Sequence, residues 1–121
     1  MNPLIKGIGI DIVDIRKLQK AHQKWGDFFL KKIFSPQEID YCFSKKNSYQ
    51  HLAGRFACKE AVIKALGQNI GFKNITIYNT KTGRPCVEID SNPFDEKIEV
   101  FVSLSHLESY ATAVAVVVKK T

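Results

Sequence analysis

The sequence predicts an α+β fold in which an antiparallel-rich β-sheet packs against one long central helix. An apolar strand near the start, helix signals over residues 14–67 and four alternating runs in the second half support this prediction. A helix placed between such strands covers one face of their sheet. The 121 residues suffice for one domain with a real core, so we expect a single domain over residues 1–121.

Residues 4–12 are predicted to form the first strand. Four apolar residues mark one of its faces: Leu4, Ile8, Ile10 and Ile12. Gly7 and Gly9 lie between them and permit another backbone or a ligand to come close.

A helix is expected to begin at Ile15, with Asp14 as its cap. Its apolar side consists of Ile15, Leu18, His22 and Trp25. Its opposite side carries a basic stripe, formed by Arg16, Lys17, Lys20 and Lys24. Such a stripe is either a solvated face or a docking surface for an acidic helix.

Two further helices are predicted before residue 68. The stretch SPQE at 35–38 begins one that runs to about Phe43, since Ser35 can cap it and Glu38 can close a capping box. The other, long helix runs from about Ser48 to Leu66 and ends at Gly67.

The second half of the chain is predicted to form four strands. The stretch NITIYNTKTGRPCVEI alternates on both sides of a turn at 81–83, which indicates a hairpin. The stretches KIEVFVSLSH and YATAVAVVVKK give two more strands, joined by a short turn at 106–109. The expected order is therefore one strand, three helices and four strands.

The long helix carries four charges although its periodicity predicts burial. Its broad apolar arc consists of Leu52, Phe56, Val62, Ile63 and Leu66, and a second arc holds small residues suited to close packing. Arg55 and Lys59 point into the apolar arc, where they could still snorkel outward, and Glu60 and Lys64 lie at its seam, where they could form a surface pair. Because buried charges are costly unless paired or bound, the four together indicate the wall of an anion site.

Asp11 and His106 each stand at the end of a predicted strand. Asp11 either shares capping with Asp14 or serves a site, and His106 is a structural residue or a hydrogen-bond donor beside a phosphate. Carboxylates alone would repel a phosphate, so Asp11 and Glu60 would need Mg²⁺ between them and it.

The bulk composition bounds the partners and the compartment. A net charge of +6 suits an anionic partner, whether nucleic acid, phosphorylated metabolite or acidic protein, or it serves only solubility. Cys42, Cys58 and Cys86 lack metal-binding spacing and are expected to be reduced thiols, with Cys58 buried. Acidic residues interrupt any apolar N-terminal segment and the longest apolar run is short, so we expect a cytoplasmic protein without a signal peptide or membrane contact.

Two stretches resemble the signature motifs of the holo-acyl-carrier-protein synthases, the small 4′-phosphopantetheinyl transferases of fatty-acid synthesis. They are GIGIDIVDI at 7–15 and FACKEAVIKALG at 56–67, and GRP at 83–85 and SLSH at 103–106 also resemble family segments. Cys58 departs from the alanine that is common there. The resemblance runs from end to end and implies the phosphopantetheinyl transferase fold.

The resemblance also implies a reaction. Such enzymes transfer 4′-phosphopantetheine from coenzyme A to a serine of apo-acyl-carrier protein and release adenosine 3′,5′-bisphosphate. Asp11 and Glu60 would bind Mg²⁺, and Glu60, directly or through a metal-bound water, is a candidate base for the serine. Lys64 would neutralise charge on the leaving phosphate, and Lys59 would bind phosphate or support a carboxylate. Both Glu60 and Lys64 are thus the expected catalytic residues.

The same resemblance extends to partners. Arg55 and His106, with Lys64, would contact the coenzyme A phosphates, and the basic stripe would dock the acidic carrier protein. The family's trimeric organisation implies sites at subunit interfaces. Two other functions compete with this one: a small basic nucleic-acid-binding module, which the sequence disfavours because it lacks zinc spacing and RNA-binding aromatic motifs, and a non-catalytic module that binds coenzyme A or carrier protein.

Overall fold

The computed structural model describes residues 4–121, so the first three residues of the predicted domain lie outside the described part. The helices are α1 (Ile15–Trp25), α2 (Asp27–Ile33), α3 (Pro36–Phe43) and α4 (Ser48–Leu66), with one 3₁₀ turn at Phe72–Asn74. The strands are β1 (Ile5–Asp14), β2 (Ile75–Asn79), β3 (Pro85–Ile89), β4 (Ile98–His106) and β5 (Tyr110–Lys119).

The strands form two antiparallel sheets. The larger has the order β1-β5-β4, so the last strand lies between the first and its own predecessor, and the smaller is the β2-β3 hairpin. Asp11 pairs with Ala113 in the register of the large sheet, and His106 pairs with Ala111. This α+β arrangement, with α4 packed along β1, β5 and β4, confirms the predicted fold class.

Helix α4 lies unusually close to β1, and two glycines make this possible. A Cβ atom on Gly9 would stand 2.0 Å from the carbonyl oxygen of Ala61, and one on Gly7 would stand 1.8 Å from that of Ala65. The close approach predicted from the glycines is therefore that of another backbone. The small-residue arc of α4 faces this contact, since Ala61 and Ala65 are buried against the strand.

The helix boundaries follow the predicted caps. The Asp14 side chain accepts hydrogen bonds from the backbone N–H groups of Arg16 and Lys17, and Ser35 and Glu38 form the full capping box of α3. Gly67 ends α4 with a φ of 69°, in the left-handed region that favours glycine. Each boundary thus rests on a local hydrogen-bond or conformational requirement.

Three features of the helical region differ from the prediction. Helix α2 was not expected, so four α-helices stand between β1 and β2 rather than three. Trp25, placed on the apolar side of α1, is 61% exposed, because α1 ends there and the chain turns at Gly26. His22 lies on that side as a polar link instead, with Nδ1 2.8 Å from the Tyr49 hydroxyl and Nε2 3.1 Å from Asp27.

The outer face of the large sheet, on the side away from α4, is apolar and uncovered. Ile8, Ile10 and Ile12 are 64%, 67% and 67% exposed, and Phe101 and Val114 on the neighbouring strands are exposed as well. The apolar face predicted for β1 is therefore real but does not face the core of this chain. An uncovered patch of this kind marks an interaction surface in soluble proteins.

All three cysteines are free, as predicted, and Cys58 is fully buried. Burial raises the pKa of Cys58 to about 12 and that of Cys42 to about 11, so neither thiol is reactive at neutral pH. Within residues 4–121, no helix is both long enough and apolar enough to cross a membrane.

Candidate active site

The four charges of α4 have separate surroundings. Lys59 is fully buried and its Nζ donates to the carboxylate of Glu38 at 2.7 Å and to the carbonyl of Ile33 at 2.8 Å. Glu38 in turn accepts from the backbone N–H of Ile77 on β2. Lys59 therefore joins α4 to α3 and β2 and supports a carboxylate, which was one of its two expected roles. The expectation that it helps to form an anion site is wrong because its hydrogen bonds are made within the protein.

Asp11, Glu60 and Lys64 come together where β1 passes α4. Lys64 Nζ lies 3.0 Å from Asp11 Oδ1 and 2.9 Å from the carbonyl oxygen of Ile10. The Lys64 side chain is 53% exposed and that of Asp11 is 15% exposed, so this ion pair lies at the protein surface, and we call it the rim pair. The surface pair of Glu60 with Lys64 that helical spacing allows is replaced by this contact across the two elements.

The charges of Asp11 and Lys64 both act on the pKa of Glu60. Partial burial raises its pKa, the carboxylate of Asp11 raises it further, and Lys64 opposes both effects. Two carboxylates that repel each other in a half-buried position form a set of oxygen ligands that a divalent cation would stabilise.

A cavity of about 370 Å³ opens beside these carboxylates. Asp11 and Glu60 line it from β1 and α4, Phe56 contributes an apolar wall, and Lys17 reaches it from α1. Within residues 4–121, no group of three or more His, Cys, Asp or Glu side chains surrounds a metal position. A cation here would therefore take its other ligands from a substrate or from water, as Mg²⁺ commonly does.

Arg55 and His106 lie in a second cavity of about 280 Å³, which shares no lining residue with the first. Arg55 is only 5% exposed, its guanidinium lies 4.2 Å from the centre of the Tyr41 ring, and its Nη2 donates to Asn79. Its Nε has no partner within the described residues. Arg55 and His106 thus line a different cavity from Asp11, the partner of Lys64. The resemblance implies that all three basic residues contact the coenzyme A phosphates.

A third cavity, of about 530 Å³, lies between the β2-β3 hairpin and β4. Arg84 and Pro85 of the GRP segment line it, and none of the predicted site residues does. Size alone does not identify a site: the cavity beside Asp11 and Glu60 is smaller, and it brings two carboxylates that repel each other together with the amine of Lys17.

The basic stripe of α1 is open to solvent along its length. Its four members, Arg16, Lys17, Lys20 and Lys24, are all exposed. Since Lys17 also lines the cavity beside Asp11, the stripe leads directly to the carboxylates. Sequence periodicity placed the stripe on one side of α1 and could not place that side next to α4.

Comparison with known proteins assigns this arrangement to a family. The model of the 4′-phosphopantetheinyl transferase superfamily matches residues 7–115. The chain belongs to the 4′-phosphopantetheinyl transferase superfamily. The holo-[acyl-carrier-protein] synthase of Thermodesulfovibrio yellowstonii is 46% identical over 116 residues, which cover 94% of this chain and 99% of the relative. That of Chlamydia trachomatis is 45% identical over 91% of this chain and 97% of its own length.

Solved structures of this superfamily share the fold. The Bacillus anthracis holo-(acyl-carrier-protein) synthase, solved in complex with CoA (3′,5′-ADP), has a TM-score of 0.85 at 29% identity and covers 98% of this chain and 100% of its own. The Helicobacter pylori enzyme, in complex with coenzyme A, has a TM-score of 0.81 at 34% identity and covers 91% and 98%. The predicted family and fold are confirmed.

The sequence did not predict three residues that line the second cavity. Tyr41 supports Arg55 through its ring, Asn79 accepts from the same guanidinium, and His51 lines the second cavity. The spacing of His51 and Arg55, four residues apart on one helix, was a usable signal. Tyr41 and Asn79 come from α3 and β2, and no local pattern points to either.

Proposed function

We propose that this chain transfers 4′-phosphopantetheine from coenzyme A to a serine of apo-acyl-carrier protein, giving holo-acyl-carrier protein and adenosine 3′,5′-bisphosphate. The family membership supports the reaction class, and its curated relatives are named for it. The observation that carries the proposal is the meeting of Asp11, Glu60 and Lys64 beside one cavity. Phosphoryl transfer depends mainly on positioning and electrostatics, which such a group supplies.

Asp11 and Glu60 fit a magnesium ion. Both side chains are carboxylates, and Mg²⁺ is a hard cation that prefers oxygen ligands. A cation between them would relieve their mutual repulsion, and the adjoining cavity leaves room for substrate oxygens and water. When bound, Mg²⁺ would neutralise charge on the pyrophosphate of coenzyme A and polarise the phosphorus under attack.

The side chains of the chain itself account for the remaining steps. The serine oxygen forms a bond to the phosphorus that carries pantetheine, and the bond from that phosphorus to the bridging oxygen of the pyrophosphate breaks. Glu60 accepts the serine proton, directly or through a water. Lys64, which donates to Asp11 and to the Ile10 carbonyl, stabilises the charge on the departing adenosine bisphosphate.

Arg55 and His106 are proposed to bind another part of coenzyme A. Arg55 supplies a permanent buried charge whose Nε lacks a partner within the described residues, and a phosphate oxygen would satisfy it. The pyrophosphate is required at Asp11 and Glu60. We therefore assign the separate cavity to the nucleotide end of the substrate.

The carrier protein is proposed to dock on the basic stripe of α1. Its four side chains are exposed and would meet the acidic surface expected of an acyl-carrier protein. Lys17 links this stripe to the reacting cavity, so a serine on a carrier seated there would lie near Glu60.

A homotrimer with sites at subunit interfaces is the proposed assembly. The uncovered apolar face of the large sheet supports association, since Ile8, Ile10 and Ile12 are each about two-thirds exposed in one chain. The two separate cavities give a second reason. Each is near or below the low end of the range of about 300–1,000 Å³ usual for ligand sites, so pairing cavities from two copies would complete one site.

Sedimentation analysis tests the assembly. The expected species has three times the 13.7 kDa mass of the chain, and Ile10→Glu should dissociate it. A monomer at micromolar concentration would contradict the trimer while leaving the chemistry open.

We further propose that residues 1–121 form one transferase domain acting in the cytoplasm in fatty-acid biosynthesis. The three free thiols fit a reducing compartment. No nucleic-acid or membrane partner is part of this proposal.

Intact-mass spectrometry tests the proposed reaction. Apo-acyl-carrier protein incubated with the chain, coenzyme A and Mg²⁺ should gain the mass of one phosphopantetheine, and adenosine 3′,5′-bisphosphate should appear in equal amount. Binding of coenzyme A without any mass gain would support the non-catalytic alternative instead.

A further inference from the structure

His51 stands opposite His106 across the second cavity, outside all of the motif segments. The centres of the two imidazole rings are 6.3 Å apart and the rings are tilted by 59°. Both line the cavity of about 280 Å³ that also includes Arg55. A pair of imidazoles at this separation can approach one small anion from two sides.

Cations and neutral groups surround His51. Arg55 faces it from α4, His106 from β4 and Lys45 from the segment between α3 and α4, while the neutral ring of Tyr41 on α3 contacts it edge-on at 6.1 Å. None of the residues lining this cavity is acidic. Positive charge from three elements without a carboxylate partner favours an anionic ligand.

The protonation of His51 responds to these neighbours. Partial burial and then the charges of His106, Lys45 and Arg55 lower its pKa, so these protein surroundings disfavour the imidazolium. An anion between the rings would reverse this balance by pairing with both. Anion binding would therefore take up a proton, and proton uptake makes affinity rise as the pH falls.

We propose that His51 is a further substrate-binding residue, which binds the 3′-phosphate of coenzyme A together with His106 and makes the affinity for that phosphate increase as the pH falls. The inference rests on the proposed function for the identity of the ligand. Coenzyme A carries a pyrophosphate, which reacts at Asp11 and Glu60, and one phosphate monoester at the 3′ position. The separate cavity is the place left for the monoester.

Arg55 and His51 have different parts in this site. The guanidinium is fixed by Tyr41 and Asn79 and stays charged at every relevant pH, so it binds phosphate without pH dependence. The imidazole of His51 has one N–H donor when neutral, and protonation adds a second donor and a positive charge. His51 thus sets how the affinity changes with pH, and Arg55 sets its baseline.

Histidine NMR with sulfate tests the anion site on the unmodified protein. Sulfate is a useful probe because it stays dianionic from pH 5 to 8, unlike phosphate. The chain has three histidines, and His22, held by Tyr49 and Asp27 outside this cavity, serves as the internal control. Sulfate should raise the pKa of His51 and shift the ring resonances of His106, whereas the ring resonances of His22 should not respond. An unchanged His51 titration would overturn the inference.

Calorimetry with two nucleotides identifies the phosphate. Adenosine 3′,5′-bisphosphate and adenosine 5′-monophosphate differ only in the 3′-phosphate, so their affinity ratio isolates its contribution. Divided by the same ratio in a His51→Phe variant, which cancels the titration of the ligand itself, the native ratio should be about tenfold larger at pH 6 than at pH 8, the size expected for one charge-assisted contact of about 1.4 kcal/mol. His51→Phe, which keeps an aromatic ring, should remove most of this pH dependence.

The outcomes separate the inference from the proposed function. A His51→Phe variant with the native pH dependence would overturn the role of His51 even if the carrier protein is modified normally. Absence of carrier modification together with a sulfate response at His51 would reject the reaction and keep the anion site. If His51→Phe fails to fold, the sulfate titration of the native chain remains decisive.

Discussion

Two lysines five residues apart on α4 form ion pairs with opposite properties. Lys59 and Glu38 are 0% and 1% exposed, and both use further hydrogen bonds to the backbone of other elements. Lys64 is 53% exposed, and its partner Asp11 lies at a cavity rim. The buried pair is fully satisfied by the protein, whereas the rim pair can exchange partners with a substrate.

This difference separates the charge of α4 that is satisfied within the fold from the one that remains accessible to solvent. A buried charge without its partner is costly, so Lys59 and Glu38 stabilise the folded state only as a pair. A rim pair contributes little to stability, so its position calls for another explanation. We expect variants of the two pairs to change different measured quantities.

The largest effect on stability is expected at Lys59. Lys59→Met should lower the free energy of unfolding by about 3–5 kcal/mol, because it leaves the Glu38 carboxylate buried without its cation. Urea unfolding monitored by circular dichroism measures this. The double variant with Glu38→Leu removes both charges and should recover part of the loss. A single-variant loss below about 1 kcal/mol would contradict a structural role for the pair.

The matching change at the rim should affect turnover instead. Lys64→Met should reduce turnover about a hundredfold, equivalent to about 2.7 kcal/mol of transition-state stabilisation, and leave unfolding within about 0.5 kcal/mol of the native value. Lys64 lowers the pKa of Glu60, so its removal should also move the acid limb of the pH–rate profile to higher pH. A variant with native turnover would remove Lys64 from the mechanism.

The close approach of β1 to α4, the helix that carries both lysines, is expected to contribute to stability. Gly9→Ala should cost about 2–3 kcal/mol, because its Cβ would meet the Ala61 carbonyl oxygen at 2.0 Å and backbone must move. Gly54→Ala on α4 is the control, since its Cβ would meet only the end of the Leu104 side chain at 3.4 Å. Thermal unfolding should show a change of less than about 1 kcal/mol for the control. Equal losses would mean that the close approach is not what matters.

The sequence predicted the features of the fold that depend on neighbouring residues. The capping box at Ser35, the glycine end of α4 at Gly67 and the hairpin depend on contacts within a few residues. The glycines of β1 predicted a close approach, and the charges of α4 predicted that the helix was more than a packing element. Such features can be predicted because the residues that determine them are close together in the sequence.

The rest depends on contacts that sequence spacing cannot show. Lys59 meets Glu38 from another helix, and only their three-dimensional packing distinguishes it from Lys64. Helix α2 has seven residues and no side-chain cap, so it lacks the signals that revealed the others. The strand order β1-β5-β4 and the uncovered face of β1 follow from long-range pairing.

The smallest expected effect concerns the carrier protein. Reversing Arg16 and Lys20 to Glu should weaken carrier binding about tenfold, or about 1.4 kcal/mol, and spare coenzyme A binding. The double variant Lys81→Glu and Lys97→Glu makes the same change of net charge at other exposed positions and should bind the carrier normally. Surface plasmon resonance at fixed ionic strength compares them. Equal weakening by both double variants would reduce the stripe to a general charge effect.

The central claim is that the rim carboxylates carry the chemistry, and intact-mass analysis of the carrier protein after reaction with native and Glu60→Gln enzyme tests it most directly. We predict that the native chain adds one phosphopantetheine per carrier, whereas Glu60→Gln, with an unchanged unfolding transition, adds none in the same time. Near-native conversion by the folded Glu60→Gln variant would contradict the claim.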